Sequence, residues 1–139
     1  MILLDTNVVS EPLRHAPDAR VIEWIDAQPL ETLFLSAITV AELRAGVALL
    51  PAGKRRSDLQ ENLEKRVLPL FAGRVLPFDL ACTQAYAALL AKARAAGLGI
   101  ATAGGYIAAI AVANSFSVAT RDTGPFEAAG AAVINPWLA

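Results

Sequence analysis

Five short apolar runs punctuate the chain, at Ile2–Leu4, Leu33–Ser36, Val75–Phe78, Ser117–Thr120 and Ala132–Ile134, and stretches of helical patterning fill the intervals. Runs this short and this continuously apolar suit strands buried on both faces. Strands separated by helix-length segments pair in parallel, because parallel neighbours need a long crossover. The pattern predicts an α/β fold with three layers, α/β/α, around a central and mostly parallel sheet of four or five strands.

The intervals support this reading. A helix is predicted from about Asn7 to Leu13, and another from an N-cap at Asp18 through Val21, Ile22, Trp24 and Ile25 to Gln28, where Pro29 closes it. Thr39 to Leu50 carries Val40, Leu43 and Val47 on one face and ends before Pro51 and Gly53. Lys54 to Leu68 mixes charges with Leu59, Leu63, Val67 and Leu68, which predicts an amphipathic surface helix. Asp79 caps a further helix that stops near Gly97, and Tyr106 to Ala113 forms the last.

With 139 residues the chain suits one domain, 1–139, and 55% hydrophobic residues supply a core. A net charge of -1 gives no overall field towards nucleic acid or an anionic membrane, so any RNA contact depends on a local patch. Met1 to Asp5 offers no basic leader and Cys82 has no cysteine partner, so a cytoplasmic protein is expected. Ala95 to Ser117 carries no charge, yet its glycines, Asn114, Ser115 and many alanines make it a buried helix leading into a central strand, with no membrane span expected.

In an open parallel sheet, ligands bind beyond the carboxyl ends of the strands. That edge selects Asp5 after the first strand, Glu42 in the first turn of the helix after the second, and Asp122 two residues beyond the fourth. Gathered carboxylates repel one another and invite a hard cation, Mg²⁺ or Mn²⁺, which can hold a phosphodiester and activate water. Each acid also has a local explanation. Asp5 can begin an Asx turn, Thr39-Val40-Ala41-Glu42 has the form of a capping box, and Arg121-Asp122-Thr123-Gly124-Pro125 suits a turn.

Taken together, Met1-Ile2-Leu3-Leu4-Asp5-Thr6-Asn7, Ser36-Ala37-Ile38-Thr39-Val40-Ala41-Glu42-Leu43, Tyr106-Ile107-Ala108-Ala109 and Ala119-Thr120-Arg121-Asp122 resemble, in order and spacing, the motifs of PIN-domain VapC toxins. The likeness covers nearly the whole chain and is greatest to the FitB-like branch, through Lys54-Arg55-Arg56, the segment Val67 to Phe78, and Val133-Ile134-Asn135-Pro136-Trp137. The resemblance implies an α/β/α PIN domain, RNA cleavage dependent on a divalent metal, and a homodimer. It also implies a small antitoxin that blocks the site and, with the toxin, represses their operon, so that operator DNA is reached through the antitoxin.

The resemblance maps metal-binding acids onto Asp5, Glu42 and Asp122, with Thr6 and Thr120 as accessory hydroxyls. Arg121 beside Asp122 is the candidate RNA contact. A fourth family acid is absent, because Gly104 stands two residues before Tyr106, where the motif has aspartate. A catalytically degenerate PIN domain that only binds antitoxin and contributes to repression is the alternative. A receiver-like signalling domain shares the sheet type but requires adjacent acids after the first strand, where this chain has Asp5-Thr6.

Other signals fail on inspection. Ala48 to Lys54 lacks the first glycine and the Ser or Thr of a phosphate loop, and Gly97-Leu98-Gly99 follows a helix instead of a strand. His15 and Cys82 have no neighbouring motif. Lys54, Arg55, Arg56, Lys65 and Arg66 describe a solvated helix face as well as an RNA patch, and Trp24 and Trp137 read as packing residues.

Overall fold

The computed structural model describes residues Met1–Ala139. Five strands, β1 (Ile2–Leu4), β2 (Leu33–Ser36), β3 (Val75–Leu76), β4 (Ser117–Ala119) and β5 (Val133–Ile134), form one sheet in the order β3-β2-β1-β4-β5. Every pairing is parallel. Seven helices flank the sheet: α1 (Thr6–Ser10), α2 (Ala19–Ala27), α3 (Ala37–Ala48), α4 (Lys54–Asn62), α5 (Leu80–Ala95), α6 (Thr102–Ala113) and α7 (Thr123–Ala128). The result is the three-layer α/β/α arrangement that the short apolar runs require.

The two layers of core follow from the two-residue period of a strand. Leu3 and Val118 point to one face, where they meet Cys82 and Leu89 of α5, Ile107 to Ala111 of α6, and Phe126 of α7. Leu4 and Ala119 point to the other, towards Val8 and Val9 of α1, Val21 of α2, Leu43 of α3 and Trp137. Burial of the consecutive residues Ile107 to Ala111 explains why the middle of α6 holds no charge, and its alanines permit close packing against α5. Position 105 is where the approach is tightest: a Cβ there lies 3.2 Å from Tyr86 Cε1 and 3.4 Å from Ile100 Cγ2. No helix is long and apolar enough to cross a membrane.

Several boundaries differ from those read in the sequence, each for a local reason. The amphipathic stretch Lys54–Leu68 is not one α-helix: α4 ends at Asn62, a π-turn spans Leu63–Val67, and a 3₁₀ turn spans Leu68–Phe71. Pro69 has no N–H and its ring crowds the preceding turn, so the α-helical ladder cannot pass it. The wider π-turn, in which Leu68 N–H donates to Leu63 O, keeps Leu63 buried while the chain changes pitch. Pro77 likewise shortens β3 to Val75–Leu76. The first helix stops at Ser10 and tightens into a 3₁₀ turn over Glu11–Leu13 at Pro12.

The helix expected from Tyr106 begins four residues earlier, at Thr102, and carries both Gly104 and Gly105 in its opening turns. The α7 helix, Thr123–Ala128, replaces the turn expected after Asp122. The capping box expected at Thr39 is absent. Ser36 is the N-cap, its hydroxyl accepting the Thr39 N–H at 3.0 Å, so α3 begins at Ala37 and Glu42 falls in its second turn. Asp18 and Asp79 cap α2 and α5 as expected.

Candidate acidic cleft

Because β1, β4 and β2 are neighbours running the same way, their carboxyl ends deliver Asp5, Thr120 and Ser36 to one edge of the sheet. Asp5 is continuous with the sheet, its N–H donating to Ala119 O at 2.9 Å. Its side chain is nearly buried, at 8% exposure. Oδ1 accepts the Thr6 N–H at 2.8 Å, capping α1, and Oδ2 accepts the Thr120 hydroxyl at 2.8 Å. In place of the expected Asx turn, which would take the Asn7 N–H, Asp5 caps α1 through the Thr6 N–H, and that role is compatible with its place at the acidic edge.

Glu42 reaches the same edge from α3. Its Oε1 accepts the Thr6 hydroxyl at 2.6 Å. Having given its proton to Glu42, Thr6 Oγ1 can only accept from Thr39 Oγ1 at 3.0 Å, and Thr39 in turn accepts from Ser36 at 3.2 Å. Three hydroxyls thus point their protons in sequence, Ser36 to Thr39 to Thr6 to Glu42, and fix the Glu42 carboxylate from a buried anchor. Sequence reasoning missed Ser36 and Thr39 because a capping-box pattern accounted for both Thr39 and Glu42. The signal that could have found them is the hydroxyl spacing Ser36-x-x-Thr39 at a strand end.

Asp5, Thr6 and Glu42 border a cleft of about 380 Å³, whose opposite wall is the start of α6 at Ala103, Gly104 and Ile107. Three larger hollows, of about 390, 490 and 540 Å³, lie elsewhere and carry no group of carboxylates. The Gly104 wall is open: a Cβ at that position meets no atom within 4 Å. No acidic residue occupies the first turn of α6, and its N-cap, Ala101, makes no side-chain cap.

Asp122 stands outside the cleft. It is exposed, does not cap α7 with its side chain, and is tied to the edge by its N–H, which donates to Thr120 Oγ1 at 3.0 Å. The three acids therefore share an edge without closing into a cage, and no group of three His, Cys, Asp or Glu side chains stands at metal-holding spacing. Glu42 is turned to Thr6, whose hydroxyl donates to it at 2.6 Å, and like charges repel. Even so, the acids affect one another. Burial pushes the Asp5 carboxyl above its ordinary range, hydrogen bonds from Thr120 and Thr6 offset part of the rise, and the charges of Glu42 and Asp122 add to it.

Arg121 lies beside these groups. Its backbone N–H donates to Asn7 Oδ1 at 3.3 Å, and its guanidinium sits 5.2 Å from the centroid of the Trp137 ring. The basic residues Lys54, Arg55 and Arg56 of α4 do not border the acidic cleft.

Comparison with known proteins agrees with this architecture. The PIN domain family profile matches residues 2–131. The plasmid stability protein StbB of Pseudomonas syringae pv. tomato is 71% identical over the whole of both chains. The VapC ribonuclease Y4jK of Sinorhizobium fredii is 63% identical over 99% of this chain and 98% of its own. The structure of FitAB bound to a DNA fragment superposes with a TM-score of 0.95 at 58% identity, covering 99% of this chain and 96% of that one. By fold and by sequence over almost its full length, the chain belongs to the PIN-domain family, among the VapC and FitB toxins.

Proposed function

We propose that this chain is a ribonuclease toxin of a toxin–antitoxin system, hydrolysing RNA phosphodiesters in the cytoplasm with Mg²⁺ or Mn²⁺ at the acidic cleft. The observation that carries the reading is the pairing of Asp5 with Glu42 across Thr6 at the carboxyl edge of a parallel sheet, facing an open wall at Gly104. The donor chemistry fits a hard cation: carboxylate and hydroxyl oxygens line the cleft, no His or Cys does, and a positive charge relieves the burial and repulsion that raise Asp5.

Asp5 and Glu42 would hold the ion, and Asp122 would join them from the edge or through water. A bound divalent ion supplies a polarised phosphoryl oxygen and a water of lowered pKa. The protein's own contribution is orientation. Thr120 and the Thr6 N–H hold the two oxygens of Asp5, the hydroxyl relay from Ser36 holds Glu42, and the cleft between α3 and α6 admits the phosphodiester. Gly104 supplies no oxygen to an ion held there, so metal binding would be weaker and cleavage slower than in a chain with a carboxylate at that position.

The partners follow from the relatives. One relative is named toxin FitB, and FitAB is solved bound to a DNA fragment, which supports a toxin held by an antitoxin that brings operator DNA to the complex; the homodimer is what the family resemblance implies. One observation favours a second reading, a degenerate domain that binds antitoxin without cleaving RNA: the acids do not form a ready cage and position 104 has no side chain. Cleavage of a broad RNA pool with Mg²⁺ or Mn²⁺, with Asp5→Asn as control, decides between them. Activity that requires metal and Asp5 supports the ribonuclease, and metal titration without RNA cleavage supports the binder.

A further inference from the structure

We propose that Trp137 is a positioning residue that holds the Arg121 guanidinium ready for a phosphate of single-stranded RNA, so that the strand leaves the acidic cleft across the ends of β4 and β5. The inference rests on the ribonuclease reading above and adds to it a direction for the substrate and a residue outside the four motifs.

The carboxyl ends of β1, β4 and β5 are consecutive along the sheet, so Asp5 to Asn7, Thr120 to Asp122 and Asn135 to Trp137 follow one another along the same edge. The Trp137 ring is a fixed surface at the end of that row. It is 5% exposed and packs within the core that contains Leu4, Val8 and Ala119. An Asx turn holds its backbone, Trp137 N–H donating to Asn135 Oδ1 at 2.9 Å. The Arg121 guanidinium carbon lies 5.2 Å from the centroid of this ring, within range of the attraction between a cation and an aromatic face.

Arg121 is exposed, and its side chain makes no ion pair, since the four salt bridges of the protein belong to Arg14, Arg20, Arg44 and Lys65. The neighbouring Asp18 is committed to Arg20 at 2.8 Å. Only the Arg121 backbone is engaged, with Asn7, which itself borders the cleft. A guanidinium held over an indole, with no salt-bridge partner, suits bidentate phosphate recognition, for which a lysine ammonium has no equivalent geometry. The chemistry also requires such a cation. The edge is acidic and the chain carries a net charge of -1, so a polyanion needs a local attraction beside the carboxylates.

The test measures binding of a fluorescein-labelled, mixed-sequence, single-stranded RNA without divalent metal, over a range of KCl concentrations. Arg121→Ala is expected to weaken binding and to reduce the slope of log affinity against log salt by about 0.7, the contribution of one phosphate on a single strand. Trp137→Leu is expected to lose RNA affinity as Arg121→Ala does, while Trp137→Phe, which keeps an aromatic face, retains most of it. The double variant Arg121→Ala/Trp137→Leu is expected to bind no more weakly than Arg121→Ala alone. Mn²⁺ affinity by calorimetry stays at the wild-type level in all of these and falls in Asp5→Asn, which separates failure of this inference from failure of the acidic site. An unchanged salt slope in Arg121→Ala overturns the proposal, even where affinity for a partner protein falls. Additive losses in the double variant also overturn it, and so does a Trp137→Phe that binds RNA as poorly as Trp137→Leu.

Discussion

Thr120 donates its hydroxyl proton to Asp5 Oδ2 at 2.8 Å across 115 residues of sequence, and Thr120 Oγ1 itself accepts the Asp122 N–H at 3.0 Å. Thr120→Val keeps the side-chain shape but deprives a nearly buried carboxylate of a donor and an amide of its acceptor. A destabilisation of about 1.5–3 kcal/mol is expected at neutral pH, the range for hydrogen bonds to charged groups. Thr120→Ser is expected to recover most of it. Urea denaturation of the three proteins measures the difference, and equal midpoints would remove Thr120 from the support of Asp5.

The raised pKa of Asp5 gives the metal-free protein a defined pH dependence. Below the ordinary carboxylate range the group is neutral in folded and unfolded chains alike, and burial costs nothing. As pH rises the unfolded chain releases its proton first, so stability falls until Asp5 itself has ionised at its higher pKa, and the loss then stays constant. Asp5→Asn lacks this titration. It is expected to be the more stable protein at neutral pH without metal, with the gap closing towards about pH 4. Saturating Mg²⁺ or Mn²⁺ is expected to reverse the order. Urea midpoints across this range, with and without metal, provide the measurement.

Gly104→Asp places a carboxylate in open space opposite Asp5 and Glu42, at the third residue of α6, where free helix amides favour negative charge. Mg²⁺ or Mn²⁺ affinity and RNA cleavage are both expected to rise. Metal-free stability is expected to stay level or fall, because the new charge joins acids that already repel. Calorimetric titration beside the wild type checks the first effect. Equal affinities would show that position 104 does not face the ion.

Replacing the two neighbouring glycines by alanine is expected to give opposite results. Gly104→Ala meets no atom and adds helix preference, a gain of up to about 1 kcal/mol. Gly105→Ala drives a methyl against the Tyr86 ring at 3.2 Å, and that ring is held by Tyr106, whose centroid is 4.8 Å away, and by Phe78. Overpacking of this kind costs about 1–3 kcal/mol and outweighs the helix gain. Thermal unfolding of the pair reads the sign directly, and stabilisation of both would mean that α5 and α6 yield easily.

The parallel sheet was legible because a strand buried on both faces has no polar residues to interrupt it, as Ile2–Leu4 and Leu33–Ser36 illustrate. Helix starts were legible where one acid caps one helix, at Asp18 and Asp79. They were not legible where two hydroxyls compete. Ser36 and Thr39 each suit an N-cap, and only the end of β2 decides for Ser36. That choice moves Glu42 from a capping role into the cleft. The π-turn at Leu63–Val67 was equally hidden, since an i to i+5 bond leaves the apolar spacing nearly unchanged. Of the cleft, the presence of Asp5 and Glu42 on one edge could be expected from the chain, but Asp122 falls outside it, and the relay through Thr39 and the ring beneath Arg121 depend on elements far apart in sequence.

The central place of β1 has a consequence for synthesis. β1 leaves the ribosome before the other four strands of its sheet and finds one partner early, in β2, but its other partner, β4, begins only at Ser117. Until that strand arrives, Leu3 has no Val118 beside it, and Asp5 lacks the Thr120 hydroxyl and the Ala119 carbonyl that fix it. A nascent chain halted between α3 and β4 therefore carries Asp5 and Glu42 but cannot set them in place. Formation of the acidic edge is tied to the arrival of β4, and a ribosome that stops before Ser117 releases a fragment without a formed site.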